Sequence, residues 1–313
     1  MPTSIPLVHA EPSPRAEPLF DRIGIVGLGL IGGSIALAAR RLWPKALVIG
    51  VDRNDVLEQA MVRHAMDVAA DDLGLLREAD LVILAAPVEE NVLLLDRLGE
   101  CVTGTAVVSD VGSTKRAIVE AARRLPDRLA FVGGHPLAGA ARSGIEFASA
   151  DLFRGRPWVL TPREGAGGAP LERLTAFVAA LGATPRVMDP ATHDHLVAFL
   201  SHLPQLTVSA LMGVIGAEVG EGGLALAGRG LVDTTRLASS PARVWTDICR
   251  TNADEIGAAL DRLTRVLGEL RASLADPAVV ARIFGEAEAW RERLTSDRPP
   301  RPAPEEPGAG SVV

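Results

Sequence analysis

The sequence is poor in features that define several classes of protein. Its 313 residues include two cysteines, Cys101 and Cys249, which form neither a CxxC pair nor a disulfide framework. We therefore expect a reducing, cytoplasmic location. No run approaches the roughly 20 uninterrupted apolar residues that a transmembrane helix requires, and Met1–Pro18 lacks the basic start and apolar core of a secretory signal. The sequence accordingly predicts no membrane partner.

Positive charge is also scarce. The formal net charge is −7 and the isoelectric point is about 5.5, whereas a protein that binds nucleic acid normally needs a basic face to displace counterions from phosphates. We therefore predict small-molecule partners and no nucleic acid. A chain of this length, with 48% hydrophobic and 23% charged residues, is expected to form two medium-sized domains with separate cores.

The pattern of apolar residues changes near Asp189. Before it, short apolar runs alternate with helical stretches, which predicts an α/β domain with a parallel sheet. After it, Ala/Leu-rich segments predict an all-α domain, and the Pro-rich ends of the chain are expected to be disordered. The predicted organisation is a disordered leader at 1–20, a sheet domain at 21–188, a helical domain at 189–295 and a disordered tail at 296–313. The predicted strands are Arg22–Val26, Leu47–Val51, Leu81–Ala85, Ala106–Ser109, Leu129–Val132, Pro157–Leu160 and Thr184–Met188.

A GxGxxG fingerprint follows the first predicted strand and opens a helix. Gly27 allows the tight turn, Gly29 lets the backbone approach a pyrophosphate, and Gly32 permits close packing of helix against strand. The helix N-terminus then faces the phosphate charge. Asp52 lies about 20 residues past Gly32, at the end of the next strand, where an acidic side chain accepts from ribose hydroxyls. The combination predicts a Rossmann-type dinucleotide site rather than a glycine turn without a ligand, or a flavin site.

The charge of Asp52 would repel a 2′-phosphate, so the sequence predicts NAD in preference to NADP. Neighbouring Arg53 could stack on the adenine or tolerate that phosphate. Ala86 and Pro87 end the third long strand and are expected to face the nicotinamide, although Pro87 alone is equally a turn residue. The predicted cofactor-binding residues are Gly27, Leu28, Gly29, Leu30, Ile31, Gly32, Asp52, Arg53, Ala86 and Pro87.

Two further segments are predicted to be loops at the same edge of the sheet, DVGSTK at 110–115 and GGHPLAG at 133–139. His135 lies between glycines and beside a proline, and a neutral imidazole there could accept an alcohol proton as hydride leaves the same carbon. The alternative is a loop histidine without a catalytic role. Ser113 could orient that imidazole or the nicotinamide amide, or cap a helix starting at Thr114.

The helical half carries polar residues at helical spacing. Pro204 is expected inside a helix, where it would free the Leu200 carbonyl and kink the chain, so we predict a substrate-facing wall. The residues expected near this wall are Asp194, Ala198, Ser201 and Gln205, with His202 beside them.

A metal site is the rival interpretation of the histidines in this half. His193, His195 and His202 are candidate ligands, but His-x-His on a helix points the rings apart and no acidic or cysteine cluster supports them. We therefore predict no metal.

Arg236 is the candidate for holding a substrate carboxylate, because a guanidinium donates two parallel hydrogen bonds in fixed geometry. The competing interpretation is a salt bridge to Asp233, and the sequence leaves the two open. Trp245 follows in the segment RVWTDI.

Taken together, these motifs resemble the prephenate/arogenate (cyclohexadienyl) dehydrogenase family. GLGLIGGS, DVGSTK, GGHPLAG, SHLPQ and GLVDTTRLA with RVWTDI occur in the family's order between about Arg22 and Arg250. The resemblance implies an N-terminal Rossmann domain, a C-terminal all-helical dimerisation domain and a homodimer. It also implies roles for individual residues: His135 as catalytic histidine, Ser113 as active-site serine, Arg236 as substrate-carboxylate arginine, and Trp245 as an aromatic residue near the substrate channel.

The activity implied by the resemblance is NAD-dependent oxidative decarboxylation of prephenate to 4-hydroxyphenylpyruvate, a step of tyrosine biosynthesis. His135 would accept the ring hydroxyl proton while hydride leaves the same carbon, and Ser201, His202 and Gln205 would shape the substrate pocket. Many family members carry a histidine in place of Gln205, so arogenate or dual specificity, and inhibition by tyrosine, stay open.

Two more distant functions compete with this one. A β-hydroxyacid dehydrogenase typically relies on a lysine in its helical domain, and the segment from Ala191 to Arg250 contains none. A non-catalytic NAD-binding dimer would need the glycines but not the acid–base and anion-binding side chains at His135, Ser113 and Arg236.

Overall fold

The computed structural model describes residues 17–139, 143–163 and 167–296, so most of the predicted leader and nearly all of the predicted tail lie outside the described residues. Phe20 corrects the leader boundary. Its side chain is 1% exposed and its ring meets that of Phe177 edge-on, with centroids 5.8 Å apart. The guanidinium of Arg173 lies 4.2 Å from the same ring. The packed chain therefore begins before residue 21, because an aromatic ring of this size belongs to the core.

Within the described residues, eight strands form one sheet in the order β3-β2-β1-β4-β5-β6-β7-β8. All neighbouring strands are parallel except β6 and β7, which are antiparallel. The predicted parallel sheet is confirmed, with this one antiparallel pair as the exception. The strands are β1 (Arg22–Val26), β2 (Leu47–Val51), β3 (Val68–Ala70), β4 (Leu81–Leu84), β5 (Ala106–Asp110), β6 (Leu129–Pro136), β7 (Pro157–Pro162) and β8 (Thr184–Val187).

The helices connect the strands and then continue alone after β8. The helices are α1 (Leu30–Leu42), α2 (Asn54–Val62), α3 (Val88–Cys101), α4 (Arg116–Ala121), α5 (Ala169–Ala180), α6 (Pro190–Val197), α7 (Leu203–Leu224), α8 (Arg229–Thr235), α9 (Ala242–Thr251), α10 (Ala253–Ala272) and α11 (Pro277–Ser296).

The sheet is covered on both faces, which explains the near-continuous apolar character of its central strands. In β4, Leu81 and Ile83 join the core that contains α1 and α5, while Val82 and Leu84 join the core that contains α3 and α4. All four are at most 1% exposed, and each buried side chain of this size contributes about 1.5 to 3 kcal/mol. The Rossmann-type N-terminal part and the helical part that follows it match the predicted fold class.

Strand β6 is longer than predicted, and His135 lies in it rather than in a loop. Residues Gly133–Pro136 pair with β7, and His135 is in register with Val159. Glycines are poor strand formers, but a Cβ at Gly133 would lie 2.3 Å from Thr161 Oγ1, and one at Gly134 would lie 2.5 Å from the Asp110 carbonyl oxygen. The glycine pair therefore permits close packing within the sheet.

Helices α6 and α7 are joined by a π-helical turn at Ala198–His202. Pro204 follows this turn by two residues and lies inside a helical stretch that begins at Pro190, with helical backbone at His202 and Leu203. The irregular hydrogen bonding of the π-helical turn therefore falls where the sequence predicts that Pro204 interrupts the helix.

The helical stretch Pro190–Leu224, whose backbone is non-helical at Gly220, is long and apolar enough, by length and composition alone, to cross a membrane, and 17% of its most apolar window is buried. It is not an uninterrupted apolar run, because it includes Gln205, Thr207 and Glu218. Its exposed apolar side chains need either a membrane or another protein surface to cover them.

By its internal contacts, the described part of the chain divides into two compact units between Gly257 and Ala258, and the predicted domain boundary between 188 and 189 stays a prediction. The helices directly after β8 belong to the first unit because polar side chains on α6 and α9 bond to the starts of α3 and α4, as described below. In the second unit, Arg282 pairs with Glu269 and Glu286.

Candidate functional site

The turn after β1 has the geometry that a dinucleotide pyrophosphate requires. Gly27 has φ of +94°, and a Cβ there would lie 2.7 Å from the Ala85 carbonyl carbon. A Cβ at Gly32 would lie 1.9 Å from the carbonyl oxygen of Gly27, so α1 packs directly against the turn. At Gly29 a Cβ would meet no atom within 4 Å. The turn is thus tight on its protein side and open where phosphate oxygens would approach, so these residues fit the cofactor.

Asp52 ties this turn to the end of β2. Its Oδ2 accepts a hydrogen bond from Leu28 N at 2.6 Å and its Oδ1 accepts one from Arg53 N at 2.7 Å. The carboxylate retains lone pairs for further donors such as ribose hydroxyls. The Arg53 side chain is exposed and lies 3.3 Å from Asp55.

Two side chains fix the Ala86–Pro87 segment, and sequence reasoning identified neither. Buried Asn91 accepts from Ala86 N at 3.2 Å and donates to Ala86 O at 2.9 Å. Asp247 on α9 accepts from Val88 N at 2.7 Å and from Glu89 N at 3.1 Å, which caps the start of α3. These bonds hold the segment that is predicted to face the nicotinamide.

Asp194 caps α4 in the same way. Its carboxylate accepts from Lys115 N at 2.7 Å and from Arg116 N at 2.9 Å. The expectation that Ser113 caps a helix starting at Thr114 is therefore wrong, because α4 begins at Arg116 and its cap comes from α6. Ser113 is half-buried, and its proposed role in orienting His135 or the nicotinamide stays a prediction.

A buried ion pair lies beneath the end of β6. Lys115 Nζ bonds to Asp110 Oδ2, and both side chains are 0% exposed. Asp110 also accepts from Gly112 N at 2.7 Å and Gly134 N at 3.0 Å. Burial lowers the pKa of Lys115, and the Asp110 carboxylate opposes that shift in part. Sequence reasoning assigned no role to either residue.

His135 is the accessible end of a chain of three polar side chains. Its Nδ1 lies 2.8 Å from Nε2 of His193, and Nδ1 of His193 lies 2.8 Å from Oδ1 of Asp194. His135 is half-buried, whereas His193 is 1% exposed and Asp194 is fully buried. Burial, followed by the nearby His193, Lys115 and His202, lowers the pKa of His135 well below 6.5. The imidazole is consequently neutral at neutral pH and available as a base.

His202 lies in the same cluster, as predicted for this side of the helix. It is 1% exposed, and its Nδ1 lies 3.4 Å from Nδ2 of Asn252, which donates to Asp194 O at 2.9 Å. Burial lowers the pKa of His202 to about 4, although Asp194 raises it in part. The ring of Trp245 meets that of His202 edge-on at 6.0 Å. The side chain of Trp245 therefore lies beside His202.

The structure separates Ser201 and Gln205, which the sequence put on one face. Ser201 is exposed because the π turn brings His202, not Ser201, to the buried side. Gln205 is 4% exposed; its amide donates to Leu237 O at 2.7 Å and to Ser209 Oγ at 3.1 Å, and accepts from Ser240 Oγ at 3.1 Å. These bonds anchor the segment after Arg236, and the contact of Gln205 with the substrate stays a prediction.

The salt bridge between Arg236 and Asp233, one of the two alternatives for Arg236, is not formed in the described residues. Asp233 pairs with Arg229 at 3.7 Å. Arg236 is exposed, and among the described residues no carboxylate forms an ion pair with it. Its guanidinium is therefore available for an anion.

The three histidines once considered as metal ligands have other partners. His195 bonds to Glu255 at 2.8 Å, while His193 bonds to His135. Within residues 17–139, 143–163 and 167–296, no group of three or more His, Cys, Asp or Glu side chains is arranged to hold a metal ion.

A dinucleotide turn, an acidic residue at the end of β2 and a neutral histidine at the end of β6 define a nicotinamide-dependent dehydrogenase. Two family models match consecutive stretches of the chain: "Prephenate dehydrogenase, nucleotide-binding domain" covers residues 35–187 and "Prephenate dehydrogenase, dimerization domain" covers 189–281. The prephenate dehydrogenase of Bacillus subtilis (strain 168) is 34% identical over 286 residues, which are 88% of this chain and 76% of the relative. The chain belongs to the prephenate dehydrogenase family.

Two solved structures are similar over most of their length. Arogenate dehydrogenase from Synechocystis has a TM-score of 0.76 at 32% identity and covers 87% of this chain and 99% of its own. Prephenate dehydrogenase from Aquifex aeolicus, in complex with hydroxyphenyl propionate and NAD⁺, has a TM-score of 0.81 at 27% identity and covers 88% and 98%.

Proposed function

We propose that the protein catalyses the NAD-dependent oxidative decarboxylation of prephenate to 4-hydroxyphenylpyruvate. The observation that supports this most strongly is the neutral, half-buried His135 at the end of β6, with Nδ1 held by His193. The similarity to prephenate dehydrogenases and to a complex with NAD⁺ and a hydroxyphenyl acid supports the same substrate and cofactor.

The chemistry follows from the positions of these side chains. Bound NAD supplies a hydride acceptor. His135 Nε2 accepts the proton of the ring hydroxyl as hydride leaves the same ring carbon, and the resulting ketone draws in the electrons of the bond to the departing carboxylate. The product is a phenolate, to which His135 returns the proton. Arg236 holds a carboxylate of the substrate, and the side-chain pocket is shaped by Ser201, His202, Gln205 and Trp245.

The alternative substrate is arogenate, alone or together with prephenate, because the Synechocystis relative is an arogenate dehydrogenase. Steady-state kinetics with both substrates, each against NAD and NADP, tests the proposal. We expect the highest kcat/KM with prephenate and NAD. A higher value with arogenate would assign the enzyme to that substrate, and turnover of neither would contradict the proposed function.

Arg236→Gln is expected to raise KM for prephenate by about 10- to 150-fold with a smaller change in kcat, because a hydrogen bond to a charged group contributes roughly 1.5 to 3 kcal/mol. Arg229→Gln is the matched control, since that arginine pairs with Asp233. Equal KM values for the two variants would contradict the assignment of Arg236.

Asp52→Ser is expected to lower the ratio of kcat/KM with NAD to kcat/KM with NADP by about tenfold or more, because it removes a charge-assisted ribose contact and the repulsion of a 2′-phosphate. Asp55→Ser, which removes the exposed partner of Arg53, is the control. If the wild type already uses NADP as efficiently as NAD, the interpretation of Asp52 is wrong.

We also propose that 189–295 is the substrate and dimerisation domain and that a second copy of the chain covers α7. Leu211, Val214 and Val219 on this helix are 39%, 62% and 47% exposed, and the family model for this part is a dimerization domain.

Light scattering is expected to give twice the chain mass of 32.8 kDa, and Val214→Asp should shift the population towards monomer. Val62→Asp, at 81% exposure on α2, should not. A wild-type monomer would contradict the proposal.

A cytoplasmic location, and the absence of nucleic-acid and membrane partners, remain predictions.

A further inference from the structure

The hydrogen bonds around Asp194 fix the proton positions in the chain behind His135. Asp194 accepts from the backbone of Lys115 and Arg116, from Arg116 Nε at 3.3 Å and from His193 Nδ1. Burial raises the pKa of Asp194, but these bonds outweigh it, and the pKa lies below its usual value. The carboxylate is therefore ionised and acts only as an acceptor. It follows that Nδ1 of His193 carries a hydrogen.

A neutral imidazole with its hydrogen on Nδ1 presents a lone pair at Nε2. Nε2 of His193 therefore accepts from Nδ1 of His135 at 2.8 Å, with the two rings at 71°. His135 must then have its own lone pair on Nε2. For two neutral rings, the network places the hydrogen of each on Nδ1 and leaves Nε2 of His135 as the basic atom of the chain.

The charged groups around His135 differ from those around His193. Lys115 lies close enough to His135 to disfavour a positive charge there, although Asp110 is paired with it. The neighbouring His202 is neutral at neutral pH, since its pKa is about 4. His193, in contrast, bonds directly to the ionised Asp194, and Arg116 is the remaining charged group on that carboxylate.

We propose that His193 and Asp194 form a proton relay behind His135, with His193 as the temporary site of positive charge. As His135 Nε2 accepts the substrate hydroxyl proton, the hydrogen on His135 Nδ1 moves to His193 Nε2. His193 becomes an imidazolium bonded to the Asp194 carboxylate, and His135 stays neutral with its hydrogen on Nε2. When the phenolate forms, His135 Nε2–H protonates its oxygen and His193 returns the other hydrogen to His135 Nδ1. No net proton is gained or lost.

The identity of the substrate hydroxyl in this inference rests on the proposed function. The positions of the hydrogens on His135 and His193 do not. His193 and Asp194 are positioning residues in this account, since they act on the substrate through His135.

The main test is His193→Gln, because a glutamine oxygen can accept from His135 Nδ1 and hold the ring but cannot take up its proton. We expect kcat to fall about 10²-fold with KM nearly unchanged. His195→Gln, two residues along the chain with its ring on Glu255, is the matched control and should keep wild-type kcat.

Asp194→Asn provides a second, pH-dependent readout. Loss of the carboxylate removes the group that stabilises the imidazolium, so the acidic limb of kcat/KM should move to lower pH as kcat falls. A change that only disturbed the α4 cap would lower kcat without moving that limb. Wild-type kcat in His193→Gln, or an unmoved acidic limb in Asp194→Asn, would overturn the relay.

Nitrogen-15 NMR of the histidines in the substrate-free wild-type enzyme at neutral pH separates this inference from the proposed function. We expect both His135 and His193 to be neutral with the hydrogen on Nδ1. A hydrogen on Nε2 of His193 would overturn the relay whatever the substrate is. A wild type that shows the expected tautomers but oxidises neither prephenate nor arogenate would overturn the proposed function instead.

Discussion

Replacing His135 with asparagine is expected to lower kcat by about 10²- to 10⁴-fold, the usual contribution of a general base, while leaving NAD affinity close to that of the wild type. The physical reason is that cofactor binding and proton transfer take place at different positions in the fold. Phosphate and ribose groups are expected at the glycine turn and Asp52, whereas His135 stands at the end of β6, where its Nδ1 bonds to His193. An asparagine side chain can fill the space without accepting a proton at neutral pH.

Calorimetric titration of NAD and steady-state kinetics together measure the two quantities. His64→Asn is the matched control, because His64 has φ of +53°, a conformation that asparagine tolerates, and it should keep wild-type kcat. If His135→Asn retained near-normal turnover, the base would lie elsewhere, and His202 would be the first alternative.

The pH dependence follows from the lowered pKa of His135. The base must be unprotonated, so activity is present above this pKa and is lost as the pH falls through it. Because burial holds the value well below 6.5, kcat/KM should be level across neutral pH and decline only in acid.

The second large effect is expected on stability. Lys115→Met should lower the free energy of unfolding by about 3 to 5 kcal/mol, because it leaves the fully buried Asp110 carboxylate without its cation. The two backbone amides that remain on Asp110 do not neutralise its charge. Urea unfolding followed by circular dichroism measures the loss.

Arg124→Met is the control for an exposed ion pair. Arg124 lies 2.8 Å from Asp96 with both side chains more than half exposed, so solvent screening already weakens the attraction and the unfolding midpoint should hardly move. Equal midpoints for the two variants would show that the buried pair contributes no more than a surface one.

The central strands of the sheet could be predicted because they are short, nearly continuous apolar runs with no helical period. The bounds of β1 and β2 match the prediction at both ends. The three-residue strand β3 was missed because Val68–Ala70 is too short to show a period. The antiparallel β7 could not be foreseen, because strand direction depends on pairing with β6 and not on the composition of either strand.

The candidate site likewise contains some residues that could be predicted from the sequence and others that could not. Residues in glycine-rich motifs, such as His135 and Asp52, could be found because their spacing is local. Asp194 and His193 were seen in the sequence, but their roles depend on contacts with residues 79 and 58 positions away. The bonds of the Gln205 amide to Leu237 and Ser240 could not be predicted, because only the folded chain brings these residues together. The feature that identifies such residues is a polar side chain buried at the start of a helix. Burial depends on the tertiary fold, so the sequence alone did not show it.

One measurement tests the central claim most directly: the stoichiometry of the reaction of the purified protein with prephenate and NAD. The account predicts one NADH and one carbon dioxide for each prephenate consumed, with 4-hydroxyphenylpyruvate as the organic product, because hydride loss and decarboxylation occur at one site in one turnover. NADH formed without carbon dioxide, or no reduction of NAD with prephenate, would contradict it.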